Sequence, residues 1–332
     1  MRNVRVAVAL ILVGVLVLAT CGVAFARQEL IIYTSMKESM MGQIVEAFER
    51  AHPNIRVDHT TAGAGALMTK IAAERQSGRI IADILWHSEV PDFFHLRDAG
   101  LLYQYKTPLI DELLNPFDDW DGHFTAARLG TLGIIINTNL IKEPPTQWSD
   151  VLKPEYHGLF VIADPSLSGT AFMSVAMLTE QFGWEFIEQL AGNDARIGRG
   201  SGQVIDDTAN GEFAACLGVD YIVSDRIALG ATLSLHYPPE VLMAPSPIAI
   251  FRESPNIDAA RTFVDFLLSH EAQQIIASEH TLAVRLDVVY PEGTVLPPAH
   301  EALDRRIQVD YRDLMGRRSE IIQRFESILR GR

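Results

Sequence analysis

Four stretches of this 332-residue chain set small polar residues where an apolar, strand-like run gives way to a helix-like one. They are YTSMKES (Thr34, Ser35), TAGAGAL (Gly63, Gly65), PSLSGTAF (Ser166, Ser168, Gly169, Thr170) and GRGSGQV (Gly200, Ser201, Gly202). The first turn of a helix leaves backbone N–H groups without acceptors, and the helix dipole adds partial positive charge there. Glycine lets a ligand approach that backbone closely. Such junctions can hold an oxyanion with neutral donors alone. Serine and threonine are also the ordinary helix caps, so any one junction taken alone reads as a cap. Four of them facing one cleft point to an anion seat.

Other residues qualify that chemistry. LGVDYIVSD places Asp220 and Tyr221 at the end of a strand-like run, and HYPPEV carries Glu240. A carboxylate in the cleft would repel a phosphate, so these acids are expected to meet hydroxyls or an amine elsewhere on the ligand. Glu240 reads equally as an exposed acid in a proline loop. Arg199, beside Ser201, reads either as an added positive charge or as a solvated arginine. Catalytic signatures are missing: there is no G-x-S-x-G elbow, no H-E-x-x-H and no phosphate-binding Walker loop. His52, His59, His87, His95 and His123 are scattered without ligand spacing. The reading is a binding protein rather than an enzyme, with no cofactor and no resident metal.

The elements around these residues follow an α/β rhythm. LIIYTS, IRVDHTT and ADILWHS read as strands, separated by the helical stretches ESMMGQIVEAFERAHP and GALMTKIAAERQSG. PDFFHLRDAGLL reads as a further helix and LGTLGIIINTNL, residues 129 to 140, as a long strand. A proline-rich stretch then leads into a second α/β series beginning at LFVIADP. VLMAPSPIAIFRESPN has the texture of a returning strand, and the helices after it are expected to close back on the first lobe. The expected fold is therefore α/β and two-lobed, with a ligand cleft at the carboxyl ends of the strands. The expected divisions are a signal peptide at 1–26, lobe 1 at 27–136, lobe 2 at 137–238, and a return to lobe 1 at 239–332. Two strands are expected to form the hinge, near 133–138 and 236–246.

Composition narrows the function further. Arg2 and Arg5, an apolar run from Val6 to Ala19 and AFA at 24 to 26 read as an export signal cut after Ala26. LATC at 18 to 21 offers a second route, a lipoprotein anchored at Cys21. Either way the protein is expected outside the cytoplasm, in the periplasm or at the cell surface. Residues 1 to 26 hold two arginines and no acid, which leaves 26 basic against 42 acidic residues in the remainder. Such a charge balance excludes a phosphate-backbone partner such as nucleic acid. With Cys21 removed only Cys216 remains, set in EFAACLGV, where it reads as a small buried residue rather than a nucleophile.

With these residues in view the chain resembles the periplasmic solute-binding proteins of ABC importers, type 2 fold, in their ferric-iron-binding-like group. The likeness rests on LIIYTS, VEAFERAHPNIRV, ADILWHSEVPDFFHLRDAGLL, SGTAF, TANGEFAACLGVDY and AARTFVDFLLSHEAQQIIAS. It implies capture of a small solute by closure of two lobes and delivery to a membrane permease, by a protein expected to act as a monomer. Iron-binding members of the group use a tandem tyrosine pair, a histidine and a glutamate, with an anion held by a Ser-Gly helix start. Here the tyrosine pair reads Tyr221-Ile222 and the histidine position reads Ser35-Met36. The acid position reads Ser88, with Glu89 next to it. The anion-holding part is kept as Ser168, Gly169 and Thr170, with Ser201 as a polar neighbour. A retained anion seat beside depleted iron ligands implies that the anion is the ligand, an organic phosphate such as a sugar phosphate, or a phosphonate. The organic part would be read by Asp220, Tyr221 and either Glu240 or Arg285. The alternatives are a ferric-iron binder using Tyr221 and Glu89, and an exported phosphatase.

Overall fold

The computed structural model describes residues 27–117 and 120–331; the expected signal segment, its cleavage site at Ala26 and Cys21 lie outside the described residues. β1 (Gln28–Thr34), β2 (Ile55–Thr61) and β3 (Ile84–Trp86) alternate with α1 (Glu38–Ala51) and α2 (Ala64–Gln76), and α3 (Val90–Asp98) follows β3. In α1, Met40, Met41, Ile44, Ala47 and Phe48 recur at helical spacing, and all five are buried. β1 pairs with β2 and with β3 in parallel, as helical crossovers require.

After β4 (Leu102–Tyr103) comes β5 (Thr125–Asn137), every residue of which is buried. β6 (Phe160–Ala163), α4 (Gly169–Gly192), β7 (Arg196–Gly198), α5 (Ser201–Ala209), β8 (Ala215–Val219), α6 (Asp220–Ala228) and β9 (Leu233–His236) form the second series. β10 (Leu242–Phe251) returns, and α7 (Ile257–Leu267), α8 (His270–Ser278), α9 (Ala299–Asp304) and α10 (Tyr311–Arg330) complete the chain. One sheet runs through both lobes in the order β2-β1-β3-β10-β5-β8-β6-β7. The outer strands on each side are parallel, and the antiparallel ladders among the described residues are those made by β5 and β10. No helix among the described residues is long and apolar enough to cross a membrane.

The described residues form three hydrophobic clusters, and β5 contributes to all three and β10 to the two larger ones. Leu30, Phe48, Trp86, Phe93 and Phe263 belong to the first core, and Ile134, Phe160, Phe172, Leu190 and Leu217 to the second. β5 passes from Leu129 in the first core to Leu132 in the second. Beside it β10 pairs Leu242 with Leu132 and Ser246 with Arg128, and its register shifts between Ser246 and Pro247. Pro245 and Pro247 have no N–H to give the ladder, which favours such an irregularity. On β5 the change of core thus comes between Leu129 and Leu132, just ahead of the stretch 133–138 expected for the hinge. An uninterrupted apolar strand gives no sequence mark of where one core ends and the other begins.

The chain's end also differs from expectation. Ala302 of α9 packs in the first core, but Leu314, Ile321, Ile322 and Phe325 of α10 lie in the second. The expected return segment 239–332 is thus shared between lobes, because α10 presents its apolar face to α4. α4 itself breaks at Gly183, whose φ of 74° is a conformation that side-chain-bearing residues rarely adopt.

Candidate functional site

The site grows from the turn before α4. Asp164, at the end of β6, accepts hydrogen bonds from the backbone N–H of Ser166 (2.8 Å) and from its hydroxyl (2.6 Å). Its backbone carbonyl accepts from the Ser168 amide at 3.1 Å. This local turn fixes Ser168 as the N-cap of α4, where its hydroxyl accepts from the Ala171 amide at 3.3 Å. Across from it, Gly200 caps α5 without a side chain, so Ser201 stands at the helix start. The hydroxyls of Ser168, Thr170 and Ser201 form a triangle with edges of 2.8, 3.0 and 3.0 Å. Two helix starts thus meet, and the amides of Gly169, Thr170, Ser201 and Gly202 have no intrahelical acceptor.

These groups open into a cavity of about 300 Å3 whose other walls are Ser35, Ser88 and the Gly63–Ala64 segment from lobe 1, with Tyr221 and Ile222 from α6. Among the described residues no charged side chain lines it. Ser35 sits at the carboxyl end of β1, its amide donating to the Trp86 carbonyl at 3.1 Å. The Ser88 hydroxyl lies 2.8 Å from that of Ser246 and accepts from Arg128 at 3.3 Å. Tyr221 is almost buried, and burial raises its phenol above the ordinary value although Arg128 works against the shift. It is therefore a neutral hydrogen-bonding group at neutral pH.

Sequence reasoning singled out Ser35, Ser88, Ser168, Gly169, Thr170, Ser201 and Tyr221, and the structure brings all seven to this one cavity. It does not bring six others. Asp220, expected to face the ligand, is turned behind the pocket and completely buried. Its carboxylate accepts from the Thr131 amide (2.9 Å), the Thr131 hydroxyl (2.9 Å), the Thr281 hydroxyl (2.8 Å) and the Tyr221 amide (2.7 Å). As the first residue of α6 beside the crossing strand, it finds hinge donors within reach and satisfies them. Glu240 lies between β9 and β10, where its backbone carbonyl accepts from the Trp148 indole at 3.0 Å, and does not line the cavity. Glu89 is buried in an ion pair with Arg318 of α10 (3.2 Å to Oε2), which draws its carboxylate away from the pocket. Gly65 does not line the cavity but lets two backbones approach: a Cβ there would lie 2.8 Å from the Ser166 carbonyl oxygen, and one on Gly63 would lie 2.6 Å from that of Leu167. Nor do Arg199 and Arg285 line the cavity, Arg285 being paired with Glu112 and Asp287.

Two cations were missed by the sequence reading. Arg128, on β5, is fully buried behind the pocket; it bonds Ser88, Ser246 and Thr281 and lies 3.7 Å from Asp220. Its guanidinium sits 4.7 Å from the centre of the Tyr221 ring, and the Lys37 ammonium sits 5.4 Å from the same ring. The available signal for Arg128 was a lone arginine in an otherwise apolar strand. Burial pushes the Asp220 carboxyl above the ordinary carboxylate value, while Arg128 and the hydrogen bonds pull it down. Among the described residues no group of three or more His, Cys, Asp or Glu side chains is placed to hold a metal ion.

Residues 80–302 match the bacterial extracellular solute-binding protein family. An uncharacterized protein of Haemophilus influenzae is 28% identical over 289 residues, covering 82% of this chain and 81% of its own. The phosphoglycerate transport regulatory protein PgtC of Salmonella typhimurium is 30% identical over 168 residues, 47% of this chain and 41% of that one. Among solved structures, the periplasmic binding protein AfuA of Actinobacillus pleuropneumoniae, with fructose-6-phosphate bound, superposes with a TM-score of 0.79 at 22% identity. That match covers 92% of this chain and 99% of AfuA. Iron-bound HitA of Pseudomonas aeruginosa gives 0.76 at 24% identity, over 91% and 99% of the two chains. The structural likenesses show the fold, and the family match covers most of the chain. The chain therefore belongs to the bacterial extracellular solute-binding proteins and is a solute-binding component of an ABC importer, built on the two-lobed type 2 periplasmic-binding fold.

Proposed function

We propose that the solute is a small organic phosphate or phosphonate, seated by its oxyanion on the starts of α4 and α5. The observation that carries this reading is the hydroxyl triangle of Ser168, Thr170 and Ser201 on two converging helix starts, in a cavity that no charged side chain lines among the described residues. Three hydroxyls that now satisfy one another can turn to donate to three oxyanion oxygens, joined by the first-turn amides. Neutral donors hold a dianion without a fixed ion pair, which suits a protein that must hand its cargo on. The volume lies at the lower end of ligand pockets, about 300–1,000 Å3, as a small solute requires. Ser35, Ser88 and Tyr221 would read the organic part from the opposite wall.

Ferric iron fits this donor set less well. It would find one tyrosine, with the charges of Arg128 and Lys37 beside its ring, and a Glu89 already committed to Arg318. A hydrolase would need a nucleophile or an activated water in the pocket, and among the described residues no histidine or carboxylate lines the cavity as a base for its serines. The protein works as an exported monomer that closes its lobes on the solute and then docks on its permease.

Thermal-shift titration tests the ligand class. A solute at 100 times its Kd stabilises the protein by about 2.7 kcal/mol. Fructose 6-phosphate, a phosphoglycerate or 2-aminoethylphosphonate is expected to raise Tm, and ferric citrate is not. Stabilisation by ferric citrate alone would overturn the reading.

A further inference from the structure

Lys37 follows the pocket residue Ser35 by two positions and stands at the start of α1, in lobe 1. Its ammonium donates to both carboxylate oxygens of Asp225 at 2.7 Å, and Asp225 lies on α6 in lobe 2. The same ammonium pairs with Glu279, which closes α8 in lobe 1 and is itself held by Gln43 of α1. Asp225 is one helical turn beyond Tyr221, on the same face of α6, so the pair sits beside the cavity. The ammonium therefore has one partner that moves with it and one that does not. Rotation about β5 and β10 would separate Lys37 from Asp225 and leave Lys37 with Glu279.

We infer that Lys37 is a positioning residue for solute capture: it latches the two lobes through Asp225 when the cleft is shut and rests on Glu279 when the cleft is open. The inference depends on capture by lobe closure, which the proposed function also uses. The resting partner matters physically. Without Glu279 an opened lobe 1 would leave Lys37 free to reorient, and each closure would have to order a long, flexible side chain again. With it, the ammonium stays at the rim and closure adds one partner to a side chain already in place. The side chains are part-exposed, 16% for Lys37 and 35% for Asp225, so the latch is weak enough to release and is open to screening by salt.

The test needs no solute. Spin labels on Leu229→Cys and Val289→Cys, two exposed positions in lobe 2 and lobe 1, report the separation of the lobes, and the buried Cys216 leaves the labelling selective. In low-salt, phosphate-free buffer the wild-type distance distribution is expected to contain a short-distance population that falls about three- to fivefold on going to 1 M NaCl. Asp225→Asn and Lys37→Met are expected to show that fall already at low salt and to lose the salt response. Lys37→Arg and Glu279→Gln are expected to retain the short population. A short population that Asp225→Asn leaves unchanged, or one that Glu279→Gln removes as fully as Asp225→Asn does, overturns the assignment. So does a wild-type distribution without a short population. Because no phosphate ester or phosphonate takes part, failure of this latch leaves the phosphate reading of the pocket standing.

Discussion

Gly65→Ala separates closure of the cleft from stability of the fold. Gly65 is the second residue of α2, where alanine is the better helix former by up to about 1 kcal/mol. Considered within its own helix the substitution is stabilising. The opposite lobe reverses the sign for solute capture. A Cβ at this position would lie 2.8 Å from the backbone carbonyl oxygen of Ser166, where ordinary contact begins at 3.4 Å. Ser166 is held in the turn that builds the anion seat, through Asp164, and its carbonyl cannot swing aside without disturbing Ser168. The lobes must therefore stay slightly apart. Overpacking of this kind costs about 1–3 kcal/mol, which corresponds to roughly a five- to 150-fold loss of affinity. Calorimetric titration with a phosphate ester that binds the wild type, alongside urea unfolding without ligand, gives both quantities. The expected result is weaker binding with an unchanged or raised urea midpoint. Unaltered affinity would refute the view that the two lobes close onto each other at this contact.

Further outcomes follow from the same geometry. Thr170→Val keeps the shape of the side chain and removes one donor to the anion, so affinity should fall about ten- to 150-fold with little change in Tm. Ser168→Ala should show the same loss together with about 1 kcal/mol of destabilisation from the missing cap, read by urea unfolding. Asp220→Ala should leave Arg128 buried without its counter-charge and cost about 3–5 kcal/mol; a variant as stable as the wild type but impaired in binding would return Asp220 to the ligand. Asp92 is buried 3.5 Å from His87, and burial together with the Glu89 charge raises its carboxyl well above the ordinary value. A raised folded-state pKa gives stability that is present at low pH and lost as pH rises through it. Asp92→Asn should therefore raise Tm near pH 8, with the gain vanishing toward pH 4, at about 1.4 kcal/mol per pH unit where the two states differ in protonation. Destabilisation at pH 8 would show instead that Asp92 serves as a charged partner. The Cys216 thiol, pushed up to about 12 by burial, should resist a thiol reagent in the native protein and react only on unfolding.

Much of the site is legible in the sequence because helix starts are local. Ser168, Gly169, Thr170 and Ser201 are marked by the chemistry that ends a strand and begins a helix, and the α/β alternation then places those junctions at one edge of the sheet. The network behind them is not local. Asp220 satisfies donors on Thr131 and Thr281, 89 and 61 residues away, and nothing near Asp220 in sequence says that its carboxylate turns inward. Lys37 meets Asp225 across 188 residues. Glu89 sits one residue from a cavity wall, yet is taken by Arg318 from a helix whose apolar face joins the other lobe. Gly63 and Gly65 look like further anion-binding glycines, and only the approach of Leu167 and Ser166 shows that they make room for a neighbouring backbone. In each case the residue type indicates polarity or small size, while the partner that determines its role comes from a distant part of the chain.

Seating of an organic phosphate or phosphonate by its oxyanion on the converging starts of α4 and α5, as proposed above, requires that the protein hold such a solute. Native mass spectrometry of the protein as purified tests it most directly. The expected result is a bound small molecule that contains phosphorus, displaced by added phosphate ester and retained poorly by Thr170→Val. A bound ferric ion that phosphate esters do not displace would contradict it.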